Sequence, residues 1–179
     1  MAWRTRASRT VYENRWIEVR EDQVTGPDGD GIYGVLRMQH PSVFVVALDE
    51  EDRVCLVRLE RYTTGTSWEV PAGGSDGDEP LVAAKRELLE ETGLVAEEWT
   101  ELGTMHALNG VADAPEHVFL ARGLRTGRDA AATQHEEGID EMAWVPFADT
   151  LAMVADGRIR DGETVAALAY AGIRLGRFT

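Results

Sequence analysis

PAGGSDGDEPLVAAKRELLEETGL, residues 71–94, runs from a glycine-rich loop into a segment with glutamates at 87, 90 and 91. The segment reads as one helix. Asp78 and Glu79 offer N-cap acceptors, Pro80 suits the first turn, and Gly93 stands where a C-cap glycine belongs. Leu81, Ala84, Leu88 and Leu89 supply its apolar side, which leaves Glu87, Glu90 and Glu91 on the remaining arc. Arg86 lies four residues before Glu90, close enough to pair with it. Exposed like charges at this spacing repel by a few tenths of a kcal/mol. At about 4 Å and an effective dielectric near 20 the repulsion reaches roughly 4 kcal/mol. A cation between the carboxylates turns that repulsion into attraction, and hard oxygen donors select Mg²⁺ or Mn²⁺. An acidic, solvated helix face is the competing reading of the same residues.

The rest of the chain narrows the choice. Its 179 residues suit one domain with a real core, and 44% hydrophobic and 28% charged residues are the composition of a soluble globular protein. The 32 acidic and 18 basic residues give a net charge of -14, a field that repels phosphate backbones and argues against nucleic-acid or anionic-membrane partners. A small phosphorylated ligand stays possible if a metal or local arginines screen it. The lone cysteine, Cys55, sits in the apolar run RVCLVRL and reads as a buried strand thiol. Neither a signal-like stretch nor a membrane-length apolar run is present, so the expected location is cytoplasmic.

Along the chain, WRTRASRTVYENRWIEVREDQV (3–24) has apolar residues spaced by about two, as in an extended strand. TGPDGDG (25–31) is a turn and IYGVLRM (32–38) its hairpin partner. PSVFVVALDEEDRVCLVRLERY (41–62) reads as two β-rich runs joined by an acidic turn at 49–52, and SWEVPAGG (67–74) as a short strand entering the loop. Beyond the helix, WTELGTMHAL, EHVFLARGL and EMAWVPF read as strands, and FADTLAMVADG and GETVAALAYAGIRL as two closing helices. The sum is mixed α/β without regular βαβ alternation.

The order glycine–loop–glutamate–helix resembles the signature of the Nudix hydrolases, G-x5-E-x7-R-E-U-x-E-E-x-G-U with U a bulky aliphatic residue. Residues 86–94, RELLEETGL, complete its second half. The first half departs by one residue: counted from Gly73, Glu79 satisfies the first gap but Arg86 comes one position early, whereas counted back from Arg86, Asp78 takes the glutamate position. The lead-in VFVVALDEEDRVCLVRLERYTTGTSWEVPAGG, the arm VYENRWIEVREDQVTGPDG and the C-terminal ADGRIRDGETVAALAYAGI are similar to the ADP-ribose pyrophosphatase branch of that family.

The resemblance implies a Nudix-type α/β/α sandwich with a mixed β-sheet at 41–179. It also implies a small β-rich N-terminal arm at 1–40 that pairs or swaps across a homodimer. It implies Mg²⁺-dependent attack of water on a nucleoside diphosphate-linked small molecule, ADP-ribose or a related nucleotide sugar, with Mn²⁺ as an alternative metal. Carried over by position, Glu87 and Glu91 are the main metal ligands and the Ala72 carbonyl a further one. Glu90 either binds a bridging metal or pairs with Arg86. Glu136 and Glu137, in the acidic stretch TQHEEGIDEMAWVPF, are both candidates for the base that accepts the water's proton. Arg61 is the candidate for facing substrate phosphate, with a structural ion pair as its other reading. Trp16 either stacks on a base or fills the hairpin core. Asn109 and Gly110 stand in a substrate loop where the branch carries proline-glycine, which loosens the link to ADP-ribose itself. Other Nudix substrates (NADH, a dinucleoside polyphosphate, an oxidised nucleoside triphosphate) and a non-catalytic nucleotide sensor are the alternative functions.

Overall fold

The computed structural model describes residues 2–127, 131–136 and 138–178. The N-terminal arm holds three antiparallel strands, β1 (Arg4–Glu13), β2 (Ile17–Gly26) and β3 (Gly29–Met38). The single extended run expected over 3–24 is thus folded back on itself. The cause is Asn14, whose side-chain oxygen accepts from the backbone N–H of Trp16 at 2.8 Å and of Ile17 at 2.9 Å. This side-chain turn reverses the chain without interrupting the alternation that suggested one strand. The next reversal, between Gly26 and Gly29, is the expected hairpin.

β4 (Ser42–Ala47) and β5 (Arg53–Arg61) flank the acidic turn, which is closed by Asp49: its carboxylate accepts from the Arg53 backbone N–H at 2.8 Å and from Arg53 Nε at 2.7 Å. The two strands nevertheless part into different sheets, with an isolated Leu48–Val54 bridge beside the turn. β5 pairs with β6 (Gly65–Glu69) and with β11 (Ile139–Pro146) in an antiparallel sheet. β4 joins a mixed sheet in the order β7–β4–β10–β8, formed with β7 (Ala72–Gly74), β8 (Leu94–Met105) and β10 (Glu116–Thr126). β4 and β10 run parallel there, and the other pairs antiparallel. A two-residue strand, β9 (Ala112–Asp113), lies parallel to β3 and ties the arm to the body.

The mixed sheet is apolar on both faces because both are covered. Val43, Val45, Ala47, Phe119 and Ala121 pack under Ala83, Ala84 and Leu88 of α1 (Pro80–Thr92). Val46, Val118 and Leu120, on the opposite face, pack under Ala167, Leu168 and Ala171 of α4 (Gly162–Arg174). This is the expected α/β/α sandwich. A short helix, α2 (Ala131–Glu136), which the sequence did not announce, precedes β11, and α3 (Phe147–Ala155) follows it. No helix among the described residues is long and apolar enough to cross a membrane.

α1 differs from its sequence reading in two ways. Glu79 is the N-cap residue, but no side chain caps the first turn, so Pro80 alone eases the start; Gly93, at φ +72°, closes the other end with its N–H on the Leu89 carbonyl. Glu87 and Glu91, moreover, lie on the buried side with Ala83, Ala84 and Leu88, while Leu81 and Val82 are exposed. The helix packs through small residues that bring its backbone close to the sheet, and the glutamates reach past them to the sheet edge.

Candidate active site

A cleft of about 730 Å³ opens between the β5–β6 hairpin, the β7 edge of the mixed sheet and the start of α4. Arg61, Ala72, Gly73, Arg160, Asp161 and Glu163 are among the residues that line it. β7 is where the α1 glutamates arrive. The Ala72 backbone N–H donates to Glu91 Oε2 at 3.0 Å. The Glu87 carboxylate lies against Gly73 so closely that a Cβ there would stand 2.4 Å from its carboxyl carbon. Gly73 is required for that approach. Glu87 and Glu91 are both buried, at 8% and 4% exposure.

Arg86 organises the loop. One guanidinium nitrogen, Nη1, lies 2.7 Å from Glu87 and 3.3 Å from Glu90, and the other, Nη2, donates to the Gly74 carbonyl at 2.8 Å. Asp76 at 3.6 Å and Asp78 at 4.0 Å complete its surroundings. Partial burial opposes the Arg86 charge, but Glu87, Glu90 and Asp76 outweigh it and hold its pKa above the ordinary value. Two aspartates thus tie the loop to Arg86, with Asp76 and Gly77 both in the left-handed region at φ +52° and +92°.

Arg61 lines the cleft and makes the structural ion pair of its second reading, its guanidinium 2.7 Å from Glu69. Burial works against its charge, yet Glu69, Glu91 and Asp161 keep its pKa raised. Trp16 fills no core. It stands 58% exposed beside the arm's first turn, with the Arg15 guanidinium 4.0 Å from its ring centroid, and is not among the residues lining the cleft. Asn109 and Gly110 lie in an exposed turn whose Leu108 lines the cleft, and the Gly110 carbonyl accepts from the Tyr33 hydroxyl. Glu136 is exposed at the end of α2, which is docked on α1 by a 2.8 Å bond from the Gln134 side chain to the Glu91 carbonyl. Glu137 lies outside the described residues. Cys55 is fully buried, and burial with the nearby Glu91 and Asp49 pushes its thiol up to about 12, which excludes a thiolate nucleophile.

The structure also brings in groups that the sequence did not single out. Asp161 caps α4, accepting from Thr164 N–H at 2.7 Å, and hydrogen-bonds Glu163 two residues on. Arg160 donates to the Thr64 and Thr66 carbonyls and so holds the β5–β6 hairpin against α4. Aspartate before GETVAAL is a legible N-cap, but nothing local places it in a cleft with Arg61.

Glu87 and Glu91 present hard oxygen donors against β7, whose Ala72 and Gly73 line this cleft. Mg²⁺ needs one or two protein carboxylates and leaves its remaining positions to water and substrate phosphate, so the donor set fits that ion. Among the described residues no three acidic, histidine or cysteine side chains converge as a ready-made cage.

A glycine strand and a glutamate helix at the edge of a mixed sheet, itself sandwiched between two helices, define a Nudix-type sandwich. Residues 38–168 match the NUDIX domain and residues 3–36 the nucleoside diphosphate sugar hydrolase N-terminal domain. The chain belongs to the Nudix hydrolase family. It is 36% identical to an ADP-ribose pyrophosphatase of Mycobacterium tuberculosis over 94% of this chain and 80% of that protein. An ADP-ribose pyrophosphatase of Bacillus subtilis is 30% identical over 93% and 91% of the two chains. A solved structure described as an ADP compounds hydrolase superposes with a TM-score of 0.85 over 99% of this chain and 96% of the other; at 20% identity it speaks for the fold alone.

Proposed function

We propose that the protein is a divalent-metal-dependent pyrophosphohydrolase of ADP-ribose or a related nucleotide sugar, releasing a nucleoside monophosphate and a sugar phosphate. The observation that carries this reading is the arrival of two buried carboxylates, Glu87 and Glu91, at the glycine strand lining a cleft that also holds Arg61. Similarity over more than nine-tenths of the chain to two ADP-ribose pyrophosphatases supports the substrate class.

In this reading Glu87 and Glu91 hold Mg²⁺ or Mn²⁺, with the Ala72 carbonyl as a further donor. The ion supplies Lewis acidity at the diphosphate and lowers the pKa of coordinated water. Glu90 acts through Arg86, fixing the guanidinium that spans Glu87 and the Gly74 carbonyl. Arg61 neutralises charge on the diphosphate, and Glu69 keeps it pointed along the cleft wall. Glu136 or Glu137 takes the proton of the attacking water. The arm, residues 1–40, pairs with a second copy through β1, exposed along its whole length.

The test is product release from ADP-ribose with Mg²⁺ and with EDTA, beside other nucleotide sugars, NADH and nucleoside triphosphates. AMP and ribose 5-phosphate, abolished by EDTA, are expected. Glu91→Gln keeps an oxygen for the Ala72 N–H and therefore keeps the fold, but should lose most metal-dependent turnover. Turnover of Glu91→Gln near wild type would defeat the metal assignment. Silence of the wild type across the panel, with nucleotide binding retained, would favour a sensor.

A further inference from the structure

The N-terminal arm reaches the cleft through the segment 106–115. This segment leaves the mixed sheet after Met105 and re-enters it at Glu116, and those two residues face each other across the β8–β10 ladder. Sheet pairing thus fixes both ends of the excursion, while its middle is bonded to the arm. Ala112 and Asp113 form β9, parallel to Leu36 and Arg37 of β3. The Leu36 N–H donates to the Val111 carbonyl at 2.9 Å, and the Tyr33 hydroxyl donates to the Gly110 carbonyl. Within the segment, the Val111 and Ala112 N–H groups both donate to the Leu108 carbonyl, at 2.9 and 2.8 Å. Leu108 is therefore carried by a tight turn whose far side is tied to the arm.

Tyr33 is itself held in place. Its ring meets that of Trp3 edge to face, with centroids 5.5 Å apart and planes at 78°. Trp3 in turn lies so close over Gly26 that a Cβ there would stand 2.5 Å from its ring. The β2–β3 hairpin backs Trp3, and Trp3 backs Tyr33. At the other end of this chain of contacts is an apolar side chain in a polar cleft. Phe44 and Leu108 are the large apolar side chains among the described residues lining the cleft. Phe44 packs against the core, whereas Leu108 is 57% exposed. An exposed apolar side chain gains free energy when a ligand covers it, in proportion to the area covered. Arg61 suits the diphosphate; Leu108 suits the apolar face of a ring flanking it. The arm's sheet has β9 at one edge and β1 at the other, so its hold on the cleft leaves the β1 edge open.

We propose that the arm is a positioning element of the candidate active site: Tyr33, through the Gly110 carbonyl, sets the stance of Leu108 against a substrate ring and with it substrate affinity. This rests on the pyrophosphohydrolase reading and deepens it. Tyr33 touches no substrate and acts through the turn. The experiment measures kcat and KM for ADP-ribose in saturating Mg²⁺ for wild type, Tyr33→Phe, Leu108→Ala and the double variant. Phenylalanine keeps the ring against Trp3 and removes the hydroxyl alone. Tyr33→Phe should raise KM about fivefold, the loss expected for one neutral hydrogen bond, with kcat within about twofold. Leu108→Ala should raise KM about tenfold through lost apolar contact. In the Leu108→Ala background, Tyr33→Phe should change KM by less than about twofold, because the side chain it positions is gone. An unchanged KM in Tyr33→Phe, or the same loss in both backgrounds, would overturn the proposal. Amide hydrogen exchange reads the turn without substrate: Val111 and Ala112 should exchange faster in Tyr33→Phe while α1 is unchanged. Exchange at the wild-type rate would also overturn the proposal. Faster exchange in a protein that hydrolyses nothing would keep the arm's hold on the turn and sink the reaction instead.

Discussion

Gly73→Ala probes the junction on which the candidate site depends. The added Cβ would stand 2.4, 2.5 and 2.6 Å from the three carboxyl atoms of Glu87, and ordinary van der Waals contact begins near 3.4 Å. The carboxylate is the end of a flexible side chain, so it can retreat, by about 1 Å, and the backbone need not follow. That retreat disturbs the 2.7 Å contact with Arg86, a pair worth about 1 kcal/mol at most at this partial exposure. For a chain of this size a loss of about 1 kcal/mol lowers Tm by roughly 2–4 °C. A displacement of about 1 Å in a group that positions substrate or metal costs on the order of 100-fold in rate. The variant should therefore keep its fold and lose kcat/KM by about two orders of magnitude in saturating Mg²⁺. Calorimetry and steady-state kinetics read the two quantities separately. Gly31→Ala, whose Cβ would meet nothing within 4 Å, is the control and should change neither. If Gly73→Ala stays within threefold of wild type in kcat/KM, the carboxylate position is not what the reaction requires.

Leu88 is fully buried between α1 and the sheet, and Leu88→Ala should cost about 3 kcal/mol in urea unfolding; a loss below about 1 kcal/mol would mean that the α1 face is not packed as described. Glu163→Gln should alter the pH dependence of stability. Between the ordinary carboxyl value of 4.5 and about 7 the native Glu163 keeps a proton that the unfolded chain has released. The native state then binds more protons, so this group's contribution is most favourable below pH 4.5 and is lost as pH rises to about 7. Glutamine does not titrate, so the Tm of the variant relative to wild type should climb between pH 4.5 and 7.5, and a flat difference would refute the raised proton affinity. Cys55 should resist thiol reagents at pH 8 in the folded protein and react on unfolding; fast labelling of the native chain would contradict its burial.

Local spacing made much of this molecule legible. The loop–helix of residues 71–94, the hairpin at Gly26–Gly29 and the turn closed by Asp49 depend on neighbours within a few residues, and those rules act within one stretch of chain. The same locality explains the misses. Alternation of apolar residues persists through the Asn14 turn, so a strand pair read as one strand. β4 and β5 are joined by a short turn, yet each is apolar on the faces that suit a different sheet, and a pattern of hydrophobicity does not name the partner.

The amino-acid sequence by itself determined which residues could carry the chemistry: Glu87, Glu90 and Glu91 on one helix, a glycine-rich loop before them, and an arginine spaced to pair with Glu90. Tertiary structure decided their environment. It placed Glu87 and Glu91 on the buried side of α1, because small Ala83 and Ala84 let the helix sit close enough for long side chains to reach β7. It also brought Asp161 and Glu163, at the start of α4, into one cleft with Arg61 of β5. Burial and mutual charge, which set proton affinity and ligand preference, depend on distances between groups far apart in the chain, and those distances exist only once the sheet is closed between its two helices.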